Sequence, residues 1–244
     1  MRLFACLMIA FSSQVAAEEI RVISGGAARS FVEPVARDFK GHEVKIDWQP
    51  MGKLVQSLAA GQPADMVIVT SEVLQQLEKE GRLAPGSGKP IARVGVGVAV
   101  HERAPVPDIS TPEAFKRALL AAKSVVYIDP KTGTSGKHVA EVLQRLGILE
   151  LMSHKTTLLQ GGYVVEPVGR GEIELGIHQI SEILPVKGVR LVGELPRELQ
   201  KYTVYVAAPN PTTGKAPLVQ ELIQHLRSTT ARERLAQAGY TSPE

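Results

Sequence analysis

The sequence predicts an α/β protein of two lobes with a ligand cleft between them. Three observations carry that expectation. Strand and helix signals alternate along most of the chain, as in a mostly parallel sheet. The 244 residues are long for one domain and fit two lobes of roughly 100 residues each. Two β-rich runs, 92–101 and 201–208, stand where the chain could leave a first lobe and return to it. Lobe 1 would then span 18–96 and 206–244, and lobe 2 would span 97–205. Element order alone leaves one alternative, a single large doubly wound sheet.

The elements follow in order. "EIRVIS" (19–24) reads as a strand leading into "GGAARSFVEPVARDF", where Ser30 and Glu33 form a capping box and Pro34 lies in the first turn. "EVKIDWQP" (43–50) is a second strand, followed by the helix "KLVQSLAAG" (53–61). "ADMVIVTS" (64–71) is a continuous apolar run suited to a strand covered on both faces. The helix 72–83 follows it. Thr111 caps a helix over 111–123 with Pro112 at its first position. "SVVYIDP" (124–130) is a strand that ends at a loop of small residues, and a helix is expected over 136–147. A glycine-rich turn (160–172), the strands 175–179 and 189–193, and closing helices over 217–239 complete the chain.

Composition excludes several functions. The formal charge of +3 is small and dispersed, which argues against a nucleic-acid partner. The N-terminus, "MRLFACLMIAFSSQVAA", pairs Arg2 with an apolar run and ends on Val15-Ala16-Ala17, a small-residue cleavage signature. We read 1–17 as a secretory signal peptide. A lipoprotein signal at Cys6 would leave almost no apolar segment before it and is rejected. Cleavage removes the one cysteine, and with Arg2 gone the charge falls to +2. The mature chain then has no thiol chemistry and suits an oxidising compartment.

The loop after 124–130 invites a test for a nucleotide site. A Walker A motif needs glycine five residues before Gly136, and that position is Lys131; His138 replaces the hydroxyl that would hold magnesium. The nucleotide reading fails. A simpler anion site survives, because the first N–H groups of a helix lack internal partners and its N-terminus is electropositive. Thr132, Thr134 and Ser135 add hydroxyls, and Gly133 and Gly136 permit close backbone approach. The same device of strand, small residues and helix recurs at Gly25-Gly26-Ala27-Ala28, at Pro50-Met51-Gly52-Lys53 and at Gly161-Gly162-Tyr163. Four such turns around one cleft would hold an anion with neutral dipoles.

Catalytic motifs are sparse. There is no G-x-S-x-G, H-E-x-x-H or cysteine cluster, so no cofactor or metal is expected. Among six histidines, His138 and His178 lie in candidate cleft segments. Arg29 and Lys53 begin helices beside candidate loops, where each could pair with a carboxylate or stay solvated.

Several stretches carry a family resemblance: "GKLVQSLAAGQPADMVIVTSEVLQQLEKEGRL", "GTSGKHVAEVLQRLGI", "VGRGEIELGIHQISEI" and "LPRELQKYTVY". In this order they resemble the periplasmic molybdate-binding-type solute-binding proteins of ABC transporters. The resemblance implies a type II periplasmic binding protein: two lobes, two crossover strands, and a small anion held by hydroxyls and backbone N–H groups. It implies membrane transporter subunits as partners, a monomer, and no catalysis in most members. Ala27 and Met51 fall where molybdate binders place serines, and Gln179 falls where a tyrosine commonly donates. Each lost bond to a charged group costs ~1.5–3 kcal/mol, which disfavours molybdate or tungstate. Gln179, Tyr163 and Ser181 would suit a larger organic carboxylate, with Met51 against its apolar body. The subgroup also resembles periplasmic aconitate isomerase, so an allylic proton shift is the rival reading. His138, His178, Tyr163 and Glu166 are its candidate acid–base groups, with no choice among them.

Overall fold

The computed structural model describes residues 17–243; the expected signal segment lies outside them apart from Ala17. Two five-stranded sheets form the two lobes. Lobe 1 opens with β1 (Glu19–Gly25), a 3-10 turn (Gly26–Ala28) and α1 (Arg29–Arg37). It continues through β2 (Glu43–Gln49), α2 (Met51–Ala59), β3 (Met66–Thr70), α3 (Ser71–Lys79) and β4 (Lys89–Val94). The chain then enters the second sheet as β5 (Val96–His101), followed by α4 (Pro112–Ala121), β6 (Val125–Ile128) and α5 (Thr134–Arg145). Next come α6 (Leu149–Ser153), β7 (Thr156–Leu159), α7 (Glu166–Gly169), β8 (Leu175–Gln179), α8 (Ile180–Ile183) and β9 (Val189–Glu194). β10 (Thr203–Pro209) returns to the first sheet, and α9 (Ala216–Leu226) and α10 (Thr229–Leu235) close it.

Strand orders are β2-β1-β3-β10-β4 and β7-β6-β8-β5-β9. In each sheet four strands run one way and the fifth, β10 or β5, runs against them, so the mostly parallel expectation holds with one reversal per lobe. β1 runs parallel to β2 and β3, and β6 to β7 and β8; β10 and β5 run antiparallel to both neighbours. The cause is the crossing itself, because a strand that enters from the other lobe arrives pointing the opposite way.

The run 92–101 divides at Gly95, where the chain changes sheet. A side chain there would collide with Gln200, whose Nε2 would lie 2.9 Å from a Cβ. The Gln200 amide instead accepts from Val96 N at 3.0 Å and donates to Val96 O at 2.8 Å. A single side chain thus ties the two crossings together.

β3 is buried at all five positions and β6 at all four, which accounts for their continuous apolar sequence. Lobe 1 packs α1, α2 and α9 onto its sheet through Phe31, Leu54 and Leu222. Lobe 2 packs around Phe115, Val139, Leu143 and Ile177. The Ser30–Glu33 capping box is not formed: α1 starts at Arg29, and Ser30 Oγ donates to Ser181 O in the other lobe at 3.2 Å. Pro34 lies inside α1 rather than in its first turn. Among the described residues no helix is long and apolar enough to cross a membrane.

Candidate functional site

Strands β1, β6 and β8 end at the junction of the lobes, and the turns that follow them meet there. A cavity of about 50 Å³ is lined by Gly25, Gly26 and Ala27 after β1, and by Pro50 and Met51 at the start of α2. From lobe 2 come Gly133, Thr134 and Ser135 at the start of α5, together with Gly161 and Gly162. The four small-residue turns therefore surround one hollow. α2, α5 and α8 start at this junction without a side-chain cap, as α1, α6, α7 and α9 do, whereas Thr70, Thr111 and Ser228 cap α3, α4 and α10. At α2 Gly52 N is already bonded to Thr132 O and at α8 Ile180 N to Gly95 O, which leaves the start of α5 to a ligand or to solvent.

The lobes touch around the hollow. Gly52 N donates to Thr132 O at 3.3 Å, and Ser181 Oγ donates to Ala27 O at 2.9 Å. The Tyr240 hydroxyl also donates to Ala27 O. Ser181 and Ala28 thus support the wall from behind and do not line it. Gly136 is required by packing: a Cβ there would lie 1.9 Å from the Ile128 carbonyl oxygen.

One polar chain crosses the cavity. Ser135 Oγ lies 3.0 Å from His178 Nδ1, and His178 Nε2 lies 2.9 Å from Glu182 Oε2. With the proton on Nε2, beside the carboxylate, Nδ1 accepts from the Ser135 hydroxyl. The Nε2–Oε2 distance is short, yet the N–H is not directed well enough to bond, and Nε2 has no hydrogen-bond partner. His178 is 1% exposed, so an unmet donor there carries a desolvation cost that a ligand oxygen would remove.

Gln179 lines the cavity, but its amide is occupied at both ends. It donates to Thr203 Oγ1 at 2.9 Å and accepts from the Tyr205 hydroxyl at 2.9 Å. Burial pushes the Tyr205 phenol well above its usual pKa, and the Glu182 charge adds to this.

The other expected residues lie elsewhere. Lys53 is exposed and outside the hollow, as are Tyr163 (half-buried) and Glu166, which is exposed with Arg170 at 3.9 Å. Arg29 lies over the Trp48 ring and near Glu33. His138 is buried but faces away: its Nε2 donates to Leu199 O at 2.7 Å. Sequence reasoning missed Glu182 and Tyr205. Glu182 had one signal, its place four residues after His178; Tyr205 had none, because β10 comes from the distant return crossing.

His138 gives a test of its own. Burial, the largest influence, lowers its pKa below the ordinary 6.5. The unfolded chain therefore takes up a proton first as pH falls, and stability declines below about pH 6.5 towards the folded-state pKa. His138→Gln should lose less stability than the wild type in urea melts between pH 7.5 and 5. Equal losses in both would show that His138 contributes nothing to acid sensitivity.

A larger hollow of about 630 Å³ opens at the opposite end of the lobe 1 sheet, beside Arg21, Asp65 and Lys215. Its cations are already engaged: Lys215 on Glu19 O at 2.6 Å and Asp65 at 3.5 Å, and Arg21 on Glu19 at 2.8 Å. Those bonds, from Arg21 first and Lys45 next, pull the Glu19 carboxyl down to about 2. The smaller hollow, where the four small-residue turns converge between the lobes, is the candidate site. Among the described residues no cluster of histidine, cysteine and acidic side chains could hold a metal.

Comparison with known proteins agrees with this architecture. The chain is 31% identical to an aconitate isomerase from Pseudomonas sp. over 96% of its own length and 92% of that protein's. It is 25% identical to the molybdate-binding protein ModA of Azotobacter vinelandii, covering 96% and 93%. Among solved structures, the A. vinelandii periplasmic molybdate-binding protein superposes with a TM-score of 0.78 at 17% identity, covering 92% of this chain and 100% of that one. The sulfate-binding protein SubI of Mycobacterium tuberculosis H37Rv gives 0.75 at 17% identity, covering 93% and 88%. The family model for bacterial extracellular solute-binding proteins matches residues 20–241, and the chain belongs to that family.

Proposed function

We propose that this protein captures a small organic carboxylate between its lobes in the periplasm and delivers it to the membrane subunits of an ABC transporter. The observation that carries the reading is His178 Nε2, a buried donor with no hydrogen-bond partner on the wall of the hollow. A carboxylate oxygen would meet it, with the uncapped start of α5 supplying further N–H donors. Molybdate fits less well, because Ala27 and Met51 offer no hydroxyl and the Tyr205 hydroxyl is spent on Gln179. The hollow of about 50 Å³ takes one carboxylate head, so a di- or tricarboxylate needs the lobes to part before it enters.

Thermal melts with cis-aconitate, trans-aconitate, citrate, succinate and molybdate test this. A carboxylate present at 100 times its Kd should add about 2.7 kcal/mol of stability. A shift with molybdate alone would refute the organic-ligand reading.

A second reading is favoured by the Ser135–His178–Glu182 chain and by the aconitate isomerase relative. In an allylic shift, one carbon loses a proton and the double bond moves as the other carbon gains one. The Glu182 carboxylate is the acceptor and His178 Nε2–H an adjacent donor, 2.9 Å apart. Proton NMR of cis-aconitate in D2O separates the readings. Conversion to the trans isomer with deuterium incorporated supports the enzyme, and binding without conversion supports the carrier.

A further inference from the structure

The cleft holds an acid and no permanent cation. No lysine or arginine lines the hollow; its ionisable groups are His178, Glu182 and the Tyr205 phenol. Lys53 and Arg29, the two cations the sequence offered, lie outside it. Glu182 also sits close to the first turn, since a Cβ on Gly26 would lie 3.7 Å from its Oε1. An incoming carboxylate would therefore share a small, water-poor space with a resident carboxylate. Like charges so placed cannot both stay ionised without compensation, and either the pair gains a proton or the anion is repelled.

The geometry points to anion capture coupled to the uptake of one proton by the His178–Glu182 pair. This rests on the carboxylate reading above and extends it to the charge balance of the same site. With neutral imidazole the pair carries −1. With one added proton it is neutral, as imidazolium beside carboxylate 2.9 Å apart. The added proton goes to Nδ1, so the Ser135 hydroxyl, 3.0 Å away, must turn and accept from it. That frees no charge elsewhere and leaves Nε2–H for the ligand.

Two phenols face the pair, and both are held in their protonated form. From β10, the buried Tyr205 phenol has its pKa driven up, first by burial and then by the Glu182 charge. Tyr240, which also faces Glu182 from the C-terminal turn, is raised the same way. Glu72 from α3 acts on Tyr205 as a further negative charge, and Tyr163 acts on Tyr240. From α5, the facing group is the Ser135 hydroxyl.

The test is titration calorimetry with cis-aconitate, trans-aconitate, citrate and succinate in phosphate and in Tris, whose ionisation enthalpies differ. From about pH 8 upward these ligands are almost fully ionised. We expect the enthalpy difference to report about one proton taken up per ligand at pH 8. The affinity should weaken about tenfold for each pH unit over that range. Glu182→Gln removes the resident charge without changing the size of the side chain. It should bind with less than half a proton taken up and outperform the wild type at pH 9. Wild-type binding with equal enthalpies in both buffers and a flat pH profile would overturn the coupling while leaving the carboxylate reading intact. No binding of any of the four ligands at any pH would remove that reading, and the coupling with it.

Discussion

Gly136→Ala is expected to lower the melting temperature by about 6–12 °C. The first turn of α5 rests directly on the end of β6, and an added Cβ would lie 1.9 Å from the Ile128 carbonyl oxygen. That neighbour is backbone within the lobe 2 sheet and cannot rotate away like a flexible side chain. Overpacking of this kind costs roughly 1–3 kcal/mol and sometimes more; we expect about 3 because no rotamer change relieves the clash. For a chain of this size each kcal/mol is worth about 2–4 °C. The change should also weaken ligand binding, because Thr134 and Ser135 begin the helix that must shift. A control at Gly147, which has open space around it but a φ of +67°, should cost less and leave binding unchanged. A Gly136→Ala melt within 2 °C of the wild type would show that α5 is not seated as described.

His178→Asn should weaken carboxylate binding by about ten- to hundredfold, the equivalent of ~1.5–3 kcal/mol for a lost bond to a charged group. Asparagine keeps a polar group near the Ser135 hydroxyl and removes the reach to Nε2. The unliganded protein should remain folded, since Nε2 has no hydrogen-bond partner whose loss would destabilise it. Ligand-induced stabilisation in thermal melts, with calorimetric Kd values beside it, measures the effect. A Kd within twofold of the wild type would exclude His178 from the ligand. If the protein is instead an isomerase, the same variant should lose turnover as well as affinity, because the donor beside Glu182 is gone.

Much of the fold could be read from the chain, for local reasons. "MVIVT" and "VVYI" are buried along their whole length, and a strand covered on both faces must be continuously apolar. β7 was missed because it is an edge strand, "TTLL", whose central positions Thr157 and Leu158 face solvent, so no buried apolar pattern marks it. α5 begins two residues before the expected start, at Thr134. The glycines at 133 and 136 look like a loop, but packing against Ile128 demands them inside the helix start. Ser30 followed the capping-box rule and failed it, because bonds to Ser181 and to Tyr240 compete for its hydroxyl.

The chain by itself determined the alternation of strands and helices, the glycine-bearing turns before α1, α2 and α5, and a site furnished with dipoles instead of cysteines or a nucleotide motif. These are properties of short stretches, set by side-chain size, burial and backbone freedom. Only the tertiary structure decided that β5 and β10 reverse direction, and that Lys53 and Arg29 stay outside while Glu182 and Tyr205 come in. It also decided that His178 lies between Ser135 and Glu182 with its Nε2 unmet. Distances between residues far apart in the chain depend on how the two lobes dock. Docking is a sum over many contacts that no local pattern of residues encodes.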